Sequence, residues 1–408
     1  MTRHRSNLAP DALFVMTLTA SDITYGFEAL WPDRGPRVYF DPASLNAAKL
    51  LSGLPAERVE SAPEADLLWI RKNPGAWYDK LGSFQAINHI PLERCMIRKG
   101  DLAQNLHRYG ASQPQATFSH LDFLPTTYCL YDPEERAAFV EQLPEVDHPE
   151  NLWILKPSNL SKGLGMKILW DLASLRKALS KSGPITFKFE GRTVDYVIQR
   201  YVKNALLLDG KKSNIRIYWL IASLDPLLVL MYTEGTVRFT LQPYKLDDFD
   251  NPLIHFTNAF QQKKHPGYRP DAVPKWNLSR LQEYLLKETL APGNFFEDVL
   301  KPRLRQILAY VVRANIESLK QTPSSGLFFG LYGADFILDD QLTPWLTEIQ
   351  KGPGLSFNDP LQQRLKPPML GGAVSIVLEI LALKRKGQPL TALSSTHGYE
   401  WVNRDPAT

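Results

Sequence analysis

The stretch NIRIYWLIASLDPLLVLMYTEGTVRF, residues 214–239, constrains the fold more than any other in the chain. Its β-branched and aromatic residues suit a packed, pleated surface. The SLDP and TEG sets read as turns, so the stretch predicts an antiparallel meander. Lys212, Asn214 and Arg216 fall two apart and share one face of a strand. Three polar groups facing one way amid apolar neighbours are costly unless they meet water or a ligand. Arg238 closes the next hairpin. Two further strands, 327–338 and 345–349, follow a helical region at 276–321 whose apolar residues recur every three or four positions. Asp335 lies on the first, and Glu348 and Gln350 share a face of the second. Oxygen donors so placed suit a hard cation such as Mg²⁺, or form no more than an exposed polar face.

Upstream, ALFVMTL, PRVYF and ADLLWIR read as short strands and GDLAQNLHRYG as a helix closed by Gly110. The basic MTRHR before ALFVMTLTA also fits a signal peptide, but Pro10 and Asp11 interrupt it, which favours the strand. Residues 131–150 are acidic and proline-punctuated, a surface helix with flanking loops. NLWILKP is a strand ending on Lys156, which either points into a cleft or snorkels to water. Next come a loop with Gly163 and Gly165 and a strand, MKILW, a hairpin that can lay backbone N–H groups over phosphates. It is not a Walker loop, since no helix follows. Residues 194–202 form a strand bearing Gln199, Arg200 and Val202, whose edge can read one donor and one acceptor of a base. IHFTNAF supplies His255, Thr257 and Asn258, for capping or for function. A last apolar helix is expected at about 369–386, then a tail.

At 408 residues and 44% hydrophobic, the chain can bury two or three packed units. A net charge of +4, from 47 basic and 43 acidic residues, hints at an acidic partner and is no nucleic-acid signature. Cys95 and Cys129 give neither a disulfide framework nor a CxxC pair, which suits a reducing, cytoplasmic setting. No apolar run is expected to span a bilayer.

Taken together and in order, these motifs resemble the tubulin–tyrosine ligase-like family of ATP-grasp enzymes. KKSNIR with YTEGTVRF, HFTN, ADFILD with WLTEIQKGPGLS, and the upstream INHIP with IRKGDLAQNL carry the resemblance over roughly residues 65 to 385. It implies an α/β (α+β) ATP-grasp fold, with a nucleotide cleft between two antiparallel-sheet subdomains. The implied divisions are an N-terminal α/β domain (1–125), a central subdomain (126–205), a C-terminal subdomain with the metal site (206–388) and a tail (389–408). Lys156 and Lys212 would contact phosphates or ribose, Gly163 and Gly165 would cover the phosphates, and Gln199, Arg200 and Val202 would form the adenine hinge. Asn214 and Thr257 would complete the ATP site. Lys99 would face substrate, and Arg216 would bind a substrate carboxylate or the transferring phosphoryl group. Arg238, His255 and Asn258 would surround the γ-phosphate. Asp335, Glu348 and Gln350 would hold two Mg²⁺ ions.

The implied activity is ATP-dependent ligation of an amino acid, glutamate before tyrosine or glycine, to a protein carboxylate through an acyl phosphate. The acceptor would be an acidic protein segment such as a tubulin tail, or a non-tubulin protein, and the enzyme a monomer. Asn214 stands where the family has aspartate, and Gln350 where it has asparagine. These departures leave open a nucleotide-binding pseudoenzyme that only docks partners.

Overall fold

The computed structural model describes residues 31–402 apart from 32, 73, 145–150, 180–186, 265, 267 and 269–274. The expected strand at ALFVMTL lies outside the described residues.

The chain is mixed α/β with several sheets. The largest has seven strands. Its centre is one long hairpin, Lys211–Leu224 against Leu227–Phe239, followed by Gly330–Leu338 and Pro344–Lys351, all antiparallel. The central strand is buried on both faces. Ile215, Ile217, Trp219 and Ile221 face a core shared with the helix Lys301–Leu319. Tyr218, Leu220 and Ala222 face a second core built on the helix Pro360–Arg385. Double burial explains why the sequence here is a near-continuous apolar run, with little alternation. Each fully buried leucine or isoleucine stabilises the fold by about 1.5–3 kcal/mol.

The TEG set is not a turn, as expected, but an irregularity inside one strand. Ile217 pairs with Gly235 and Trp219 with Met231, so extra residues bulge from the Leu227–Phe239 side. Gly235 fits there because a Cβ would come 2.5 Å from the Arg216 carbonyl oxygen. SLDP does form the reversal.

The second sheet has four antiparallel strands, in the order Thr127–Cys129, Tyr196–Arg200, Trp153–Pro157, Lys167–Leu169. The third is a small parallel sheet of Arg37–Phe40, Glu57–Arg58, Leu67–Trp69 and Ala86–Ile87, completed at one edge by Leu327–Phe328.

Two expectations near the C-terminus are corrected. The last helix starts at Pro360, not near 369, and runs through Pro367 and Pro368. Asp359 caps it, accepting from the Gln362 N–H at 3.0 Å, and burial of Leu365, Met369 and Leu370 outweighs the lost backbone donors. This helix is also long and apolar enough to cross a membrane, contrary to the expectation of no such run, yet 89% of its apolar window is buried in the fold. The supposed tail contains a strand, Tyr399–Trp401, paired with Leu227–Phe239. Glu400 on it takes Lys301 and Arg305, each at 2.8 Å.

Candidate active site

A cleft lies between the four- and seven-stranded sheets. Ile154, Lys156, Gln199 and Arg200 line it from the first, and Lys212, Asn214, Asp335, Ile337, Thr347 and Glu348 from the second. Strand register builds the charged floor. Thr236, Arg216, Asp335 and Glu348 stand directly opposite one another across four adjacent strands.

The Arg216 guanidinium grips Asp335 with two bonds, Nε to Oδ1 at 2.5 Å and an Nη to Oδ2 at 2.6 Å. Arg238 adds a third to Oδ1 at 3.0 Å. Gly333 makes room for this fork, since a Cβ there would come 2.9 Å from Arg216 Cδ. Burial opposes ionisation of Asp335, but the two guanidiniums overcome it and hold the carboxyl below its ordinary range.

At the cleft's other wall, Lys156 Nζ donates to Gln199 Oε1 at 2.6 Å, and Gln199 Nε2 donates to Thr127 Oγ1 at 2.8 Å. Burial first, and then nearby Lys99, pull the Lys156 ammonium down to about 8, against Glu348 and Asp335. Lys212 donates to the Val202 carbonyl at 3.0 Å and sits 3.8 Å from the centre of the Tyr201 ring. Burial, then Lys156, lowers it well below an ordinary lysine. Two buried cations near one another are what a polyanion would relieve. The Asn214 Oδ1 is buried without a hydrogen-bond partner, the mark of a site awaiting a donor.

His255 lines the same cleft. Its Nδ1 lies 3.0 Å from the Tyr201 hydroxyl and its Nε2 2.8 Å from the Asp248 carbonyl. That carbonyl can only accept, so Nε2 carries the proton and Nδ1 accepts from the tyrosine. Thr257 and Asn258 follow it into the cleft.

A second chamber joins the first, and Lys99, Asn258 and Glu348 line both. Arg216, Arg238, Gln350 and Lys351 belong to the second. His255 and Arg238, expected around one phosphate, therefore line different chambers. Gly163 and Gly165 line neither. Both have positive φ, +70° and +66°, and they border a separate hollow with Phe249 and Lys264. The Gly163 carbonyl accepts from Gln261 Nε2 at 2.8 Å, and a Cβ at Gly163 would come 3.1 Å from Asn258 Oδ1. The loop packs against the Asn258 turn with its glycine flush to it.

The expected metal ligands adjoin one another. Glu348 Oε2 is 3.3 Å from Lys99 Nζ, and its Oε1 accepts from Gln350 Nε2. The donor set is all oxygen, which suits a hard cation once Gln350 turns its amide oxygen inward. Asp335 is saturated by guanidiniums here. Among the described residues no group of three or more His, Cys, Asp or Glu side chains forms a self-sufficient metal centre. A cation at Glu348 and Gln350 would draw its other ligands from substrate phosphates and water.

Some lining residues went unread in the sequence. Thr127, Tyr201 and Thr347 have no local signal. Ile154, Met166, Ile337 and Phe256 form apolar walls, and of these only Ile337 was legible, two positions from Asp335.

The sequence model of the tubulin-tyrosine ligase family matches residues 78–386. The chain belongs to this family. The match takes in the cleft from Lys99 to Gln350. Among relatives, a Tetrahymena thermophila protein described as "Probable alpha-tubulin polyglutamylase Ttll1" is 30% identical over 73% of this chain and 73% of its own length. A Bos taurus protein, "Probable tubulin polyglutamylase TTLL9", is 29% identical over 76% of this chain and 72% of its own. A Macaca fascicularis protein, "Protein polyglycylase TTLL10", is 32% identical over 73% of this chain and 48% of its own.

Proposed function

We propose that this member of the tubulin-tyrosine ligase family is an ATP- and Mg²⁺-dependent ligase of ATP-grasp architecture. It adds an amino acid, glutamate by preference, to a carboxylate of an acidic protein acceptor such as a tubulin tail. The observation that carries this reading is the pair of chambers that meet at Lys99, Asn258 and Glu348. Such a site brings a nucleotide's terminal phosphate from one side to a carboxylate and an amine on the other.

The first chamber suits ATP. Ile154, Met166, Ile337 and Phe256 offer apolar faces for adenine, and Gln199 to Val202 a backbone edge to read it. Lys156 and Lys212 would neutralise phosphates, and Asn214 would accept from a ribose hydroxyl. Glu348 and Gln350 would hold Mg²⁺, which supplies charge neutralisation between the phosphates and an incoming carboxylate.

In the second chamber the acceptor carboxylate would attack the γ-phosphorus, with ADP leaving. The donor amine would then attack the acyl carbon, phosphate would leave, and the amine's surplus proton would pass to phosphate or solvent. Arg216 and Arg238, already oriented by Asp335, would bind the phosphoryl oxygens and then the oxyanion.

The preference for glutamate rests on charge. Arg98, Lys162, Arg216, Arg238, Lys263 and Lys351 line the second chamber, against the single carboxylate of Glu348. The polyglycylase among the relatives keeps glycine as the competing donor. The test is incubation with ATP, Mg²⁺, tubulin and labelled glutamate, glycine or tyrosine, read by mass spectrometry. ADP and phosphate are the expected products. AMP and pyrophosphate would mean adenylation and overturn the acyl phosphate. ATP binding without turnover on tubulin or any lysate protein would make the chain a pseudoenzyme.

A second expected result concerns the first chamber alone. Lys156→Ala should weaken ATP binding roughly ten- to a hundredfold, the scale of one charge-assisted hydrogen bond. Unchanged affinity in calorimetry would place the nucleotide elsewhere.

A further inference from the structure

We infer that Lys351, aimed by the buried carboxylate of Glu93, reads the negative charge of the donor amino acid in the second chamber. This deepens the donor reading above and rests on it.

Glu93 is 4% exposed, yet three donors from three segments converge on it. The Tyr332 hydroxyl donates at 2.7 Å, His89 Nδ1 lies at 3.1 Å and Lys351 Nζ at 2.7 Å. The first two are interior groups. Tyr332 is fully buried, and the other ring nitrogen of His89 is fixed 2.7 Å from the Ile70 carbonyl. Those two bonds alone would satisfy a carboxylate with a purely structural task. The third reaches outward. The Lys351 side chain keeps 36% of its surface exposed and lines the second chamber beside Gln350, Gly352, Gly354 and Ser356. Strand alternation alone would turn Lys351 away from Glu348 and Gln350. It still borders the chamber because it ends its strand, and Gly352, at φ +54°, turns the chain there.

A lysine ordinarily loses much rotamer freedom when it binds a ligand. Here Glu93 has already fixed the side chain, while an ammonium carries three N–H donors and Glu93 takes one. The wall beside it is rigid as well. Buried Lys366 donates to the carbonyl oxygens of Gly354, at 2.5 Å, and of Ser356. A small wall pinned in this way suits an amino-acid side chain better than a polypeptide, which is why the donor is assigned to it and not the acceptor.

The experiment is calorimetric titration of L-glutamate into the protein–ADP–Mg²⁺ complex. Lys351→Met should weaken glutamate binding roughly ten- to a hundredfold, with ADP affinity and Tm unchanged. Lys351→Arg should recover most of the loss. Glu93→Gln keeps a hydrogen-bonding group of the same shape and should cost a smaller factor, roughly three- to tenfold. If that buried variant fails to fold, the two Lys351 variants decide. Wild-type glutamate affinity in Lys351→Met would overturn the inference, as would equal losses of ADP and glutamate affinity. A wild-type protein that binds no acidic amino acid would instead sink the donor reading itself.

Discussion

Glu348→Gln is expected to leave the protein folded and to lower amide-bond formation by roughly a thousandfold or more. The exchange is nearly isosteric, and Glu348 sits on the wall of an open cleft, so little packing changes. What is lost is a negative charge at the junction of the two chambers. Lys99 loses its ion-pair partner, and any cation there keeps only neutral ligands from this strand. Gln350→Asn gives the contrast. It shortens a neutral arm by one methylene and should leave measurable turnover. A Mg²⁺ titration of turnover in both variants is the measurement, and full activity in Glu348→Gln would end the metal assignment.

Asp335→Asn should have the largest effect on stability, about 3–5 kcal/mol in chemical denaturation, because it strands two guanidiniums in the interior. The Arg216 and Asp335 side chains are 8% and 3% exposed. Activity should disappear as well, since the fork then lacks its anchor. The same pair makes a pH prediction. The Asp335 carboxyl is depressed in the folded protein relative to the unfolded chain. Its contribution is therefore fully present above the ordinary carboxylate value of about 4 and is lost as pH falls through the lower, folded value. Wild-type stability should drop over that acidic window, and the Asn variant should show a shallower drop there. Identical acid limbs would mean that the ion pair adds nothing.

Much of the cleft was legible because strand alternation is a local rule. Lys212, Asn214 and Arg216 on one strand, Asp335 on the next and Glu348 with Gln350 on the third were read from spacing, and register set them side by side. The chemistry between them was not legible. Nothing local says that Asp335 spends its oxygens on Arg216 and Arg238, or that Gln199 links Lys156 to Thr127. Those facts depend on which strands become neighbours. The glycine loop was placed in the correct hairpin, but its two glycines serve packing against Asn258 and Gln261. Elsewhere local signals were overridden. TEG has turn chemistry, yet both flanking strands are held by large cores, so it bulges. Pro367 and Pro368 should stop a helix, yet burial of the surrounding turns carries the helix past them.

The parallel sheet near the start of the chain is closed on one edge by Leu327–Phe328, which pairs with Ala86–Ile87. At ordinary elongation rates the ribosome needs on the order of tens of seconds to travel from one segment to the other. Through that interval the nascent sheet lacks its last strand and offers an unpaired edge to anything nearby. Its completion must wait for the strand that leads directly into the one bearing Asp335. Early folding intermediates should therefore be chaperone-dependent, and fragments that end before Leu327 should aggregate when expressed alone.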